Sequence, residues 1–303
     1  MRGVMKVSYY PGCTLKTKAK NLEDAAVASM QALGVEFQEI TRWNCCGAVH
    51  SLADDDLIHH VAPVRDLIRA MEQGNDKVVT LCSMCYNSLA RANLIMKNDE
   101  VKRKTINDFM NEEKDYHGEM EVLHFLNFLK DEVGFDKIRE KVKSPLNGLK
   151  VATYYGCTLS RPREVAIEPP GSTELMSEFL ETLGATPLNF GDAFTCCGSY
   201  QILANPDAAV NVAAGIIDCA AKAGAEALAL SCPLCEYNLA RKQGDMMQGG
   251  KIDKDLPVFY FTQLLAAALG LDNEACRFDL NPKCSAEVLK AKNLAAGAVA
   301  GLV

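Results

Sequence analysis

Short apolar runs alternate with longer stretches of helical period along this chain, and the whole series occurs twice. Residues 5–9 read as a strand, 19–33 as a helix stopped by Gly34, 35–40 as a strand, 57–71 as a helix and 77–81 as a strand. The second series runs through 149–155, 174–183, 185–189, 207–223 and 226–230 in the same order. Strands alternating with helices predict an α/β class, each half a small, mostly parallel sheet with flanking helices. Beyond each series, residues 122–129 and 258–265 share one apolar rhythm, so the chain is an internal repeat of two homologous halves.

A length of 303 residues suits about two domains. The seam is expected in 137–148, where charge, a proline and a glycine interrupt the periodicity, giving domains 1–142 and 143–303, the latter with a short C-terminal tail. With 49% hydrophobic and 23% charged residues, each half can bury an ordinary core. A net charge of -7 with scattered basic residues leaves no footprint for nucleic acid. The weakly polar stretch 208–230 is broken by Asp218, Lys222 and Glu226, so no membrane span is expected. The first ten residues lack the charged start and apolar run of a signal peptide, so the 13 cysteines do not read as a secreted disulfide scaffold. A cytoplasmic protein with metal-binding thiols is the expectation.

Ten of the cysteines fall into two copies of one pattern. The first is Cys13, then Cys45-Cys46 followed by Gly47, then Cys82 and Cys85 as a CxxC; the second is Cys157, then Cys196-Cys197 followed by Gly198, then Cys232 and Cys235. The gaps are 31 and 38 residues before the double cysteine and 35 and 34 after it. Flanking residues match as well: Tyr9-Tyr10-Pro11-Gly12-Cys13 with Tyr154-Tyr155-Gly156-Cys157, and Tyr86 to Arg91 with Glu236 to Arg241, shifted by one. Cys13, Cys82, Cys157 and Cys232 follow strands, where loops at the carboxyl edge of a parallel sheet form its binding crevice. Each CxxC then starts a helix, over 84–96 and 234–243, so that free N–H groups and the positive helix end face the thiolates.

Zinc takes four tetrahedral ligands, usually from two CxxC knuckles, whereas each half has one CxxC, one CC and one lone cysteine. A dithiol oxidoreductase needs only the CxxC. The spacing therefore favours iron–sulfur binding, with zinc in one half as the alternative.

The arrangement C, CCG, CxxC, present twice, resembles the double CCG-domain proteins, and over nearly the whole chain it is similar to the B subunit of heterodisulfide reductase. That resemblance implies one noncubane [4Fe-4S] cluster per half, held by five cysteines: Cys13, Cys45, Cys46, Cys82 and Cys85 in the first, and Cys157, Cys196, Cys197, Cys232 and Cys235 in the second. In the family the disulfide of coenzyme M and coenzyme B lies between the clusters and is reduced to two thiols, the chemistry of methanogenesis. Two centres that each pass one electron suit a disulfide, which needs two.

The expected function is thus the catalytic iron–sulfur subunit of a heterodisulfide reductase complex, an oxidoreductase acting on CoM-S-S-CoB or an analogous disulfide. The alternatives are the iron–sulfur subunit of a glycolate- or lactate-type dehydrogenase and a non-catalytic electron-relay subunit. The chain shows no dinucleotide-binding glycine loop and no ferredoxin motif, so partners must deliver electrons. By resemblance these are a small ferredoxin-like iron–sulfur protein (the family's C subunit) and a flavin and iron–sulfur protein (its A subunit), with a hydrogenase or formate dehydrogenase module.

Further candidates lie beside the cysteines. His50 could deliver a proton near the first cluster. Lys16, Lys18, Arg161 and Arg163 follow the first cysteine of each half and could bind anionic groups of a substrate. Gly47 and Gly198 would let the backbone pass close to a cluster. Cys219 reads as a small residue on a helix, Cys276 and Cys284 stand in the tail outside the repeat, and Trp43 reads as packing.

Overall fold

The computed structural model describes residues 5–48 and 56–299; His50 falls outside the described residues. Two four-stranded sheets form, one in each half. The first has the order β2-β1-β3-β4, made of β1 (Met5–Tyr10), β2 (Val35–Glu39), β3 (Lys77–Thr80) and β4 (Glu121–His124). The second repeats it as β6-β5-β7-β8, with β5 (Lys150–Thr153), β6 (Thr186–Leu188), β7 (Ala227–Leu230) and β8 (Val258–Tyr260). Every pairing in the two sheets is parallel. Helices on the faces bury the strands, which is why β7 reads Ala-Leu-Ala-Leu without a polar residue.

The edge strands β4 and β8 are not separable by periodicity, because each runs into a helix with no turn between. His124 ends β4 by accepting the Leu126 N–H on its Nδ1, opening the helix Phe125–Phe128. Tyr260 ends β8 and opens the helix Phe261–Ala268, with Gln263 reaching back to the Tyr260 N–H. Strand and helix thus merge into one apolar run.

Each half packs the helix that follows its fourth strand against the other half. Phe261–Ala268 packs on Lys20–Leu33 of the first half, and the Thr262 hydroxyl donates to the Leu22 carbonyl at 2.9 Å. Reciprocally, Phe125–Phe128 packs on Glu174–Thr182. The repeat-equivalent rings of Phe125 and Phe261 meet at 5.8 Å, and Phe179 closes on Phe261 at 5.7 Å. Equivalent residues touching each other, with exchanged partners around them, describe an approximate two-fold. The seam is less simple than a break at residue 142: the helix Phe135–Lys141 already packs on the second half, through Phe135 on Phe179. The C-terminal segment is a clasp on the first half, with Arg277 paired to Asp24 at 2.7 Å and Asn21 donating to Asn281 at 2.9 Å.

Candidate metal centre

All six cysteine-bearing loops lie at the carboxyl edges of the two sheets. The Cys13 and Cys82 loops follow β1 and β3, the neighbouring strands at which the strand order changes direction, and the Cys157 and Cys232 loops do the same with β5 and β7. An open parallel sheet leaves its crevice at that switch point. Cys82 caps the helix Ser83–Asn98, and Cys232 caps Pro233–Glu236. Each of these thiols receives the backbone N–H of the second cysteine of its own CxxC, which favours its thiolate.

The ten thiols form one row. Cys45 Sγ stands 3.5 Å from Cys13 Sγ, and Cys46 Sγ 3.6 Å from Cys85 Sγ; side-chain contacts from Cys45 to Cys46 and from Cys85 to Cys82 complete the first five. Cys82 then meets Cys232 across the interface between the halves. From there the order reverses, through Cys235, Cys197, Cys196 and Cys157. The inner thiols, Cys46, Cys82, Cys85, Cys197, Cys232 and Cys235, are buried; Cys13 and Cys45 are exposed and Cys157 and Cys196 half-buried at the two ends.

Acidity is uneven along the row. Hydrogen bonds from neighbouring thiols hold Cys46 and Cys232 well below the ordinary thiol range and bring Cys196 down to about 2. Their partners Cys82, Cys85 and Cys235 are raised by contact with those sulfurs and by burial. Backbone N–H groups support every member of the double cysteines: Gly47 and Ala48 for Cys45 and Cys46, Gly198 and Ser199 for Cys196 and Cys197. Thiolate is the form that ligates metal.

In each half the tyrosine three residues before the lone cysteine supports this loop from beneath. Tyr10 Oη donates to the Asn44 carbonyl at 2.6 Å and Tyr154 Oη to the Thr195 carbonyl at 2.7 Å, in both halves the residue just before the double cysteine. Burial, and then the charges of the adjacent thiols, raise both phenols, so they stay protonated donors. In the first half the Asp66 carboxylate also accepts the Asn44 N–H at 2.7 Å, and burial pushes its pKa up to about 7.

The donor set fits iron–sulfur chemistry better than a single zinc. Among the described residues, no three Cys, His, Asp or Glu side chains are grouped as a single metal ion would need. Five thiols per half are strung along a crevice instead, which suits an extended multi-iron group. Space is kept for it in the first half, where a Cβ on Gly12 would lie 2.7 Å from Cys85 Sγ; one on Gly156 would make only ordinary contact, at 3.6 Å from Cys235 Sγ.

The pattern that describes the cysteine-rich domain family, CCG, matches residues 7–90 and again 151–240. The chain belongs to the CCG family. It is 34% identical over 266 residues to the 8-methylmenaquinol:fumarate reductase membrane anchor subunit of Wolinella succinogenes, covering 87% of this chain and 92% of that one. It is 28% identical over 288 residues to the B subunit of the ferredoxin:CoB-CoM heterodisulfide reductase of Methanosarcina mazei, covering 94% and 96%. A crystal structure of a hypothetical protein from Helicobacter pylori shares the fold with a TM-score of 0.71 at 13% identity; this chain spans 53% of that one, and 92% of this chain is covered.

Within the two CCG domains the remaining candidates are placed unevenly. Lys16 is committed to Glu23 at 2.7 Å and Glu39 at 2.6 Å. Arg161 bonds the Phe194 carbonyl at 3.4 Å, and its charge helps to lower Cys196; Arg163 is exposed on a 3-10 turn, Arg163–Val165. Gly47 and Gly198 both have positive φ, but what crowds Gly198 is the helix Pro206–Lys222, where its Cβ would lie 3.0 Å from Ala209. Trp43 packs edge-on against Tyr10. Cys276 is buried, and Cys219 and Cys284 are half-buried away from the row.

Several site residues escaped the sequence. Leu89 and Leu239 both stand four residues beyond their CxxC, so the shifted Tyr-Asn pair puts Ser88 and Asn238 in one equivalent place. Asn238 Nδ2 bonds Cys197 Sγ at 3.6 Å and the carbonyls of Cys197 and Ser199 at 3.0 Å, while the Ser88 hydroxyl faces Cys46. A π-turn, Tyr237–Arg241, follows the second CxxC where the first half continues a regular helix.

Proposed function

We propose that this chain is the iron–sulfur subunit of a disulfide reductase, acting on a disulfide held between two noncubane [4Fe-4S] clusters. Cys13, Cys45, Cys46, Cys82 and Cys85 would hold one, and Cys157, Cys196, Cys197, Cys232 and Cys235 the other. The observation that carries this reading is the contact of Cys82 with Cys232, which puts the inner ends of two equivalent thiol sets side by side at the interface. When bound, the two groups supply the two electrons that a disulfide requires. The protein's own residues orient and protect the site: the backbone N–H groups hold thiolate charge, Tyr10 and Tyr154 fix the double-cysteine loops, and burial of the inner six thiols excludes water.

The similarity to the B subunits of heterodisulfide reductases supports CoM-S-S-CoB or an analogous disulfide as substrate. Electrons would come from a small ferredoxin-like partner and a flavin-bearing one, coupled to a hydrogenase or formate dehydrogenase module. The test is reduction of CoM-S-S-CoB and of simpler disulfides by the anaerobically purified chain with reduced viologen as donor. Turnover is expected with viologen and none with NADH, hydrogen or formate alone; absence of disulfide cleavage by the cluster-loaded chain would sink the proposal.

One observation favours a second reading. The 34% identity to the membrane anchor subunit of a methylmenaquinol:fumarate reductase suits an electron relay that exchanges electrons with a quinol and cleaves no disulfide. No helix among the described residues is long and apolar enough to cross a membrane. A loaded chain that a menaquinol analogue reduces, and that leaves every disulfide intact, would support this second reading.

A further inference from the structure

The second thiol set has more positive surroundings than the first, and the difference recurs at three equivalent places. The potential of an iron–sulfur group rises with hydrogen bonds to its sulfurs and falls with negative charge nearby. The first place is the loop after each lone cysteine. Lys16, three residues beyond Cys13, is held between the carboxylates of Glu23 and Glu39. Arg161, four beyond Cys157, has no ion-pair partner among the described residues and bonds the Phe194 carbonyl, two residues before Cys196. Asn87 of the first half pins it there, donating to the carbonyls of Thr158 at 2.8 Å and Arg161 at 2.6 Å.

The second place lies beyond each CxxC, where Ser88 and Asn238 are equivalent. Asn238 is buried and gives its amide to Cys197 Sγ at 3.6 Å, while its bonds to the carbonyls of Cys197 and Ser199 fix its plane. The Ser88 hydroxyl faces Cys46 without closing a hydrogen bond. The third place is the helix beneath each double cysteine, Val61–Glu72 and Pro206–Lys222. Counted back eight residues from Gly74 and from Gly224, which follow these helices, Asp66 and Ile216 are equivalent, and both are buried. Asp66 accepts the Asn44 N–H, its second oxygen has no partner, and the cations that act on it, Arg65 and Arg69, are tied to Glu113. In the second half the Thr195 N–H goes to the Asp192 carbonyl, and the Asp192 carboxylate is half-exposed and takes the Thr195 hydroxyl. The exposure of Cys13 and Cys45 acts in the opposite sense, but a charge pair in the interior interacts about fourfold more strongly than the same pair in water.

We infer that the two centres are unequal and that the second takes up the first electron, with Asn238 and Arg161 as positioning residues that raise its potential and Asp66 as the one that lowers the first. The inference rests on the two-cluster reading above and on no particular substrate. A one-electron donor such as reduced viologen loses one electron, the second centre gains it, and no bond is made or broken. The first centre fills only with the next electron.

The test is an equilibrium redox titration of the full, cluster-loaded chain, followed by electron paramagnetic resonance at pH 8.5, above the value of about 7 to which burial lifts Asp66. The signal that persists in Cys46→Ser belongs to the second centre. In the unaltered chain its potential should lie about 59 mV or more above the other, a tenfold preference for a one-electron couple. Asn238→Ser and Arg161→Gln should each lower it about tenfold in reduction equilibrium and leave the first signal in place, whereas Arg161→Lys should keep the original value. Asp66→Asn, which still accepts the Asn44 N–H, should raise the first signal alone. Coincident potentials, a higher potential for the first centre, or iron lost from these variants with both potentials unmoved would overturn the inference. A chain that holds one centre removes the two-cluster reading as well, whereas two centres that titrate as one remove the inference alone. Disulfide cleavage with excess viologen is scored separately, and its absence removes the reductase reading without touching the difference in potential.

Discussion

The side chains of Cys82 and Cys232 meet across the interface between the halves, each the residue that caps its own CxxC helix. Because the two sets join at their inner ends and expose their outer ones, each half should load separately. The intact chain purified without oxygen is expected to hold about eight irons and eight acid-labile sulfides. Cys46→Ser should lower both to roughly half while the spectrum of the second centre persists; one zinc and four irons in the unmodified chain would rule out paired clusters.

The phenols beneath the double cysteines give a second prediction. Tyr10→Phe leaves the half-buried Asn44 carbonyl without its donor and should destabilise the fold by about 1 kcal/mol. Iron should be lost faster from the first half only, and Tyr154→Phe should show the mirror result in the second. Chelator-driven bleaching of the single and double variants distinguishes them; equal loss from both halves in either single variant would contradict local support.

His124 sets a pH dependence. It is fully buried between the rings of Tyr86 and Phe261, and burial lowers its pKa to about 3 from an ordinary value of 6.5. The folded state therefore excludes a proton that the unfolded state binds, so its contribution is complete above about pH 6.5 and declines as pH falls towards 3. The slope should approach about 1.4 kcal/mol per pH unit for this group alone. His124→Gln, which keeps a polar side chain at the helix start, should flatten chemical-denaturation stability between pH 4 and 6.5 by about that slope; an unchanged profile would show that His124 is not the group responsible.

Phe261→Ala removes the ring shared by Phe125, Phe179 and His124, and should cost about 3–5 kcal/mol. Since the helix it begins packs on the other half, calorimetry should show both halves losing stability in one transition. Two resolved transitions, with only the second shifted, would mean that the halves fold independently.

The duplicated cysteines, the alternating strands and helices and the carboxyl-edge placement of the loops were legible because they depend on local spacing and period. The fourth strands, β4 and β8, were not, since a short run leading straight into an apolar helix carries no boundary of its own. Lys16 and Lys18 look alike in sequence, and only the fold brings Glu23 and Glu39 to one of them and neither to the other. The tyrosine pairs Tyr9-Tyr10 and Tyr154-Tyr155 were visible as a match, but the dropped proline set Tyr10 beside Tyr155, whereas the fold gives the same task to Tyr10 and Tyr154, through a carbonyl more than 30 positions away. Asn87 and Tyr237 looked like one motif slipped by a residue, whereas Asn87 bonds the Thr158 and Arg161 carbonyls across the interface and Tyr237 borders a cavity.

The exchange of the helices after the fourth strands bears on how such a protein can change over time. A lone half would expose Phe125 or Phe261 and the face of its first helix, so it would need a second copy of itself, and any residue altered on one side would then be altered on both. Joined in a single polypeptide, the copies are released from that identity. A tyrosine can stand where its twin has an asparagine, and a centre built by duplication can acquire a front and a back.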